Sequence, residues 1–190
     1  MNEQDIRSID YLYHGSDVSV RLPDPFYSTI RKDFGQGFYV SVERRSAELW
    51  AKRVFNRNRM SDRRATVSTY HPELHDKLNV YVFDADSEAE LDAWIDYVVY
   101  NRGLFTFLNN PLASNYDVVA GLIANGEWAD LFEPFERRVH LRKDYEKEKR
   151  RLLEDLLEIE AARKLGYQCC FKTPIAVAAL TYVPKESYYV

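Results

Sequence analysis

The chain has 190 residues, 26 Lys and Arg against 30 Asp and Glu, and a formal net charge of −4. That length suits one domain, and 46% apolar residues with 10 Phe, 14 Tyr and 3 Trp supply a core that folds without metal or disulfide. A pI near 5.6 and a mean hydropathy of −0.47 exclude a disordered chain and give no global attraction to nucleic acid or an anionic membrane.

No apolar run approaches the roughly 20 residues of a membrane helix; the longest spans 175–183. The opening MNEQDIRSID has no apolar stretch of the signal-peptide kind. Adjacent Cys169 and Cys170 cannot form an ordinary disulfide with each other. The expected location is the cytoplasm, with delivery into another cell by a non-Sec route as the exception. No residue spacing resembles a zinc site, and no metal is expected.

In chain order, 9–14 alternates polar and apolar residues as a strand does, with Gly15 and Ser16 stopping it. A loop with Pro23 and Pro25 follows. The segment DFGQGFYVS, 33–41, reads as a tight Gly turn feeding a strand, with Asp33 capping the turn. Ala47, Trp50, Ala51 and Val54 predict a helix over 43–55, with Ser41 as N-cap. Lys52, Arg53, Arg57, Arg59, Arg63 and Arg64 against Asp62 form the one notable basic cluster. It reads as a solvated helix face, with contact to nucleic acid as the rival. The runs 66–70 and 78–83 predict a hairpin. Ser87 opens a helix to about 100 striped by Trp94, Ile95, Val98 and Val99, and Asn101-Arg102-Gly103 ends it.

The run YDVVAGLIA, 116–124, is expected to be the central strand. A single charged helix is expected over 136–165, with Leu152, Leu153, Leu156, Leu157 and Ile159 on its apolar face and Gly166 as its C′ residue. A strand over 167–173 and a helical turn plus closing strand over 174–183 complete one α+β domain, 1–190.

Three segments place a polar residue among small or aromatic neighbours on separate strands: YHGS at 13–16, DFGQGFYVS at 33–41 and QCCF at 168–171. In this order they resemble the ADP-ribosyltransferase superfamily, in the branch that carries His, Tyr and Glu on three strands. His14 matches the first position and Tyr39 the second; Gln168 falls where glutamate is usual. YHGS, DFGQGFYVS, WIDYVVYNR, YDVVAG and QCCFKT together are similar to an uncharacterised bacterial family, domain of unknown function 3990, from Leu12 to Val183.

That resemblance implies a split, mostly antiparallel β core with surrounding helices and a cleft between two half-sheets that takes NAD. His14 would bond the adenosine ribose, Gly15 and Ser16 would meet the nicotinamide amide, and Tyr39 would stack on the nicotinamide ring. Gly35, Gly37 and Phe38 would line the cofactor, with the glycines keeping side chains clear. Asn101 and Arg102 would position its pyrophosphate. Gln168 can accept a hydrogen bond from the nicotinamide ribose but brings no charge. So an amide suffices, or a carboxylate arrives from elsewhere in space, or NAD is bound without turnover. The expected activity is mono-ADP-ribosyl transfer to a macromolecular acceptor by a bacterial toxin or effector, with an antitoxin protein as a further partner. The alternatives are a catalytically silent NAD or ADP-ribose binding module and a nucleic-acid-directed binding protein.

Overall fold

The computed structural model describes the chain except for residues 30, 59–61, 76, 106–107, 109–111, 113–114, 125–128, 143 and 159–165. The strands are β1 (Leu12–Ser16), β2 (Phe38–Ser41), β3 (Thr66–Pro72), β4 (Val80–Val82), β5 (Val118–Leu122), β6 (Tyr167–Phe171), β7 (Leu180–Tyr182) and β8 (Tyr188–Tyr189). The helices are α1 (Glu3–Arg7), α2 (Arg44–Asn58), α3 (Glu88–Arg102), α4 (Ala129–Arg142), α5 (Tyr145–Glu158) and α6 (Pro174–Ala178). This is an α+β fold built on one eight-stranded mixed sheet, in the order β4-β5-β6-β2-β1-β3-β7 with β8 also on β3.

One side of the sheet is covered by α3, α4 and α5. There Phe34, Phe83, Trp94, Tyr97, Phe132 and Phe135 join Cys170 in the largest core cluster. Against the other side pack α1 and α6, with Ile6, Leu12, Phe38, Val40, Tyr70, Cys169 and Phe171 buried together. A third, small cluster of Ala47, Ala51, Ala65 and Val67 seats α2 on β1 and β3. Small residues there let the helix backbone come close: a Cβ on Gly15 would run into the Ala47 carbonyl oxygen and lie 2.8 Å from the Ala51 nitrogen. β1 does not end before Gly15 and Ser16, because these pair with Val67 and Thr66 of β3.

The 66–70 and 78–83 runs do not form the expected hairpin. β3 lies between β1 and β7, whereas β4 pairs in parallel with β5. Parallel neighbours need a crossover, and α3 supplies it, making β4-α3-β5 a βαβ unit. Asp117 fixes the register: its carboxylate accepts from the Asn79 amide at 3.0 Å and from the Thr173 hydroxyl at 2.8 Å. β5 is wholly buried but second from the edge, so the central place falls to β2.

Instead of one helix over 136–165 there are two, because Asp144 interrupts the run. Its carboxylate accepts from the Lys147 amide at 3.2 Å and its carbonyl from the Glu148 amide, opening α5 as an N-cap does. Ile159 and the end of the expected helix lie outside the described residues, as does Arg59. Gly166, with φ of 77°, turns the chain directly into β6. Ser41 belongs to β2 rather than capping α2, while Ser87 does cap α3, accepting from the Glu90 amide at 3.4 Å. Both cysteines are free and buried. Among the described residues no helix is long and apolar enough to cross a membrane.

Candidate functional site

The seam between β1 and β2 decides where a ligand can enter. These strands pair at a single position, Tyr13 with Ser41, whereas β1–β3 and β2–β6 pair along their lengths. Where that ladder is missing, a cleft of about 1120 Å³ opens, walled by β1, β2, β6, α2 and the 17–33 loop. This is the scale of small-molecule sites, about 300–1,000 Å³ and slightly beyond. His14, Tyr39 and Gln168 all line it, as do Gly15, Ser16, Gly37 and Phe38.

His14 is half-buried and stacked on Phe38, ring centroids 4.5 Å apart. Its Nδ1 lies 2.7 Å from the Tyr39 carbonyl oxygen. A carbonyl only accepts, so Nδ1 carries the proton and Nε2 keeps the lone pair. Burial pushes the imidazole pKa below its ordinary 6.5, against a smaller upward pull from that carbonyl. The neutral ring therefore stands across the open seam, holding β1 to β2 and offering an acceptor.

Tyr39 and Gln168 share one sheet face. Tyr39 is opposite Cys170, and Gln168 is opposite Ser41, two residues further along each strand. The Tyr39 hydroxyl donates to the Gly35 carbonyl at 2.6 Å and accepts from the Phe34 amide at 3.0 Å. Its ring stacks on Phe34 at 6.4 Å. Burial, then the neighbouring Cys170 and Asp33, push the phenol pKa well above its ordinary value. So Tyr39 holds the Gly turn and presents a ring; it does not exchange protons near neutrality.

Gln168 is 7% exposed. Its Nε2 donates to Asp33 Oδ2 at 2.8 Å and, more weakly, to the Leu122 carbonyl at 3.4 Å. Asp33, 4% exposed, is held through Oδ1 by Arg102 Nε at 2.9 Å and Nη2 at 2.7 Å. The Gln168 carboxamide thus rests on a buried carboxylate from the Gly-turn segment. The side chain that the sequence predicts as a cap of that turn joins α3 to β6.

Three expectations about individual residues change. Asn101 and Arg102 do not line the cleft. Asn101 Nδ2 donates to the Tyr97 carbonyl at 2.8 Å, closing α3, and Arg102 divides its guanidinium between Asp33 and the Ala124 carbonyl. Gly35 also lies off the lining, and its φ of 79° is the left-handed turn that L side chains resist. Gly37 does line the cleft, but its missing side chain serves packing on β6: a Cβ would strike Cys170 Sγ and stand 2.9 Å from the Phe171 carbonyl oxygen.

Sequence reasoning singles out the basic cluster around α2 but does not place it at the cleft. Trp50, Arg53, Arg57 and Asn58 line the cleft, and Arg63 joins them. Asp17 next to Ser16 is buried, which raises its pKa, but the Asn58 amide at 2.8 Å and Arg63 at 3.0 Å outweigh that and lower it. Five basic side chains line the cleft against three acidic ones, in a chain of net charge −4. The cleft is thus locally positive, with Arg21, Lys32, Arg53 and Arg57 in no ion pair among the described residues. The signal is present in the chain: Arg53 and Arg57 are four apart and share one helix face.

Two comparisons, with curated proteins and with solved structures, return no match. A family model, Protein of unknown function (DUF3990), matches residues 11–182, from the residue before β1 to the end of β7. With nearly the whole sheet and every wall of the cleft inside that span, the chain belongs to the DUF3990 family.

Proposed function

We propose that the protein transfers ADP-ribose from NAD⁺ to a macromolecular acceptor and releases nicotinamide. The observation that carries this reading is the convergence of His14, Tyr39 and Gln168, distant in sequence, on one open cleft at the β1–β2 seam. The locally positive lining suits a pyrophosphate.

The Nε2 lone pair of His14 accepts from an adenosine ribose hydroxyl. Tyr39 offers its ring to the nicotinamide, a contact worth about 1 kcal/mol beyond buried area. Gln168 Oε1 accepts from the nicotinamide-ribose 2′-hydroxyl. The C1′–N bond breaks with its electron pair leaving on nicotinamide, the acceptor nucleophile bonds C1′, and its proton passes to solvent. Positive charge builds on the ribose as the bond stretches, so oriented acceptor dipoles around the sugar lower the barrier. The proposed setting is a bacterial toxin or effector, with a protein antitoxin as the partner that silences it.

The test is incubation with NAD⁺ labelled in each half, with and without host lysate, comparing wild type with His14→Ala. Nicotinamide release and lysate-dependent label transfer by the wild type alone are expected. Binding without release would leave a silent NAD or ADP-ribose module, and equal release by both proteins would remove His14 from the mechanism. A second reading, nucleic acid as the ligand, draws on Arg53, Arg57 and Arg63 in the cleft wall. It requires oligonucleotide binding that weakens steeply with salt.

A further inference from the structure

We propose that Asp33 is a positioning residue whose carboxylate, clamped by Arg102, locks the Gln168 carboxamide with Oε1 toward the cleft. The proposal rests on the NAD⁺ reading for its catalytic consequence, but the lock itself is a property of the free protein.

Hydrogen-bond polarity decides the orientation. Asp33 Oδ2 and the Leu122 carbonyl can only accept, and both lie within reach of Gln168 Nε2. Turning the amide over would set its oxygen 2.8 Å from a carboxylate oxygen, acceptor against acceptor. The NH₂ group therefore stays inward and Oε1 remains for the cleft, where it takes no hydrogen bond among the described residues. An unclamped glutamine offers either end to a ligand. A clamped one offers only an acceptor, which is the half of a glutamate's role that an amide can supply.

Arg102 makes the clamp directional. Its Nε and Nη2 both donate to Oδ1 of Asp33, Nη2 also reaches the Ala124 carbonyl, and the guanidinium lies over Phe132 at 5.2 Å. In Asp33→Asn, Arg102 demands the remaining oxygen, so the new amide nitrogen takes the place of Oδ2. It then faces Gln168 Nε2, donor against donor, and Gln168 must turn over and show NH₂ to the cleft. In the double variant Asp33→Asn with Gln168→Glu, that nitrogen donates to one oxygen of the carboxylate introduced on β6, and the other oxygen faces the cleft. Gln168→Glu alone instead sets two carboxylates against each other.

The experiment is a double-mutant cycle read by nicotinamide release, joined to solvent exchange of the Gln168 side-chain amide protons by NMR in the free wild type. Outer-shell partners that orient metal ligands carry about 10–100-fold in affinity or activity, and an effect of the same order is expected here. Asp33→Asn is expected to lower kcat within that range with less change in KM, Gln168→Glu to lose activity too, and the double variant to recover most of both losses. A double variant no better than the poorer single one overturns the proposal, because a merely structural Asp33 gives no such recovery. Gln168 amide protons exchanging as fast as a free amide in the wild type overturn it as well. If the wild type releases no nicotinamide, the NAD⁺ reading and its catalytic consequence fall, while protected amide protons still establish the lock.

Discussion

The two walls of the cleft differ in how far their polar groups are fixed, although on the loop side Asp17 is itself held by Asn58 and Arg63. On the sheet wall the polar groups have fixed partners: His14 on the Tyr39 carbonyl, the Tyr39 hydroxyl in the Gly35 turn, Gln168 on Asp33 and Asp33 on Arg102. On the facing wall of α2 and the 17–33 loop, Arg53 and Arg57 are exposed, and Tyr27 is 90% exposed. Groups held at one orientation favour a developing charge without reorganising. Long solvated side chains attract a ligand but lose rotamer freedom when they grip it. On the proposed reading the sheet wall would serve the chemistry and the exposed arginines of α2 the capture.

The largest expected effect breaks the sheet wall. His14→Ala removes both the acceptor at Nε2 and the bond that ties β1 to β2 where the ladder is missing. A displacement of about 1 Å at a reacting centre costs about 10²-fold, and we expect nicotinamide release to fall by at least that much in kcat/KM. A loss that appears only as a raised KM would limit His14 to holding the adenosine ribose, with no part in aligning the seam.

A smaller effect should follow on the other wall. Arg53→Glu and Arg57→Glu should each weaken NAD⁺ binding by about tenfold at low salt, with the difference shrinking toward about 0.5 M as screening sets in. Titration calorimetry at two salt concentrations reads this, and a loss independent of salt would assign these arginines a packing role. Smaller again is Tyr39→Phe, which keeps the ring but leaves the Gly35 carbonyl and Phe34 amide without the hydroxyl. Urea unfolding should show a loss of about 1–2 kcal/mol with NAD⁺ binding retained. A full loss of binding would mean that the hydroxyl, not the ring, meets the ligand.

What can be read from the sequence follows the same division. Periodicity marks the elements whose signal is local: α3 with Ser87 at its start, β6 in QCCF, and α6 with β7. Pairing is not local, so β3 and β4 resemble a hairpin although α3 makes β4 the parallel neighbour of β5. The interruption at Asp144 is hidden because charged residues continue on both sides of it. At the cleft, His14, Tyr39 and Gln168 are singled out by the order of three segments that together resemble a known superfamily, and no one segment does so alone. The bond between Asp33 and Gln168 spans 135 positions, and no spacing rule reaches across it. The lack of a carboxylate in β6 leaves the sequence silent on what Gln168 rests against, and only the fold brings Asp33 to it.

The mildest test titrates the sheet wall without mutating it. In the folded chain burial holds the His14 pKa below 6.5, while in the unfolded chain the ring returns to that ordinary value. Between the two values the unfolded state binds more protons, so the contribution of His14 to stability rises with pH and is complete above about 6.5. It is lost as the pH falls through that window to the lowered folded value. Urea midpoints from about pH 7 down to about pH 5 should therefore fall more steeply for the wild type than for His14→Gln, which has no titrating ring. Protonation of the folded ring places a donor on Nε2, so NAD⁺ affinity should hold through that window and fall only as the pH passes below the lowered folded value, and parallel urea curves for the two proteins would mean that burial does not lower the His14 pKa.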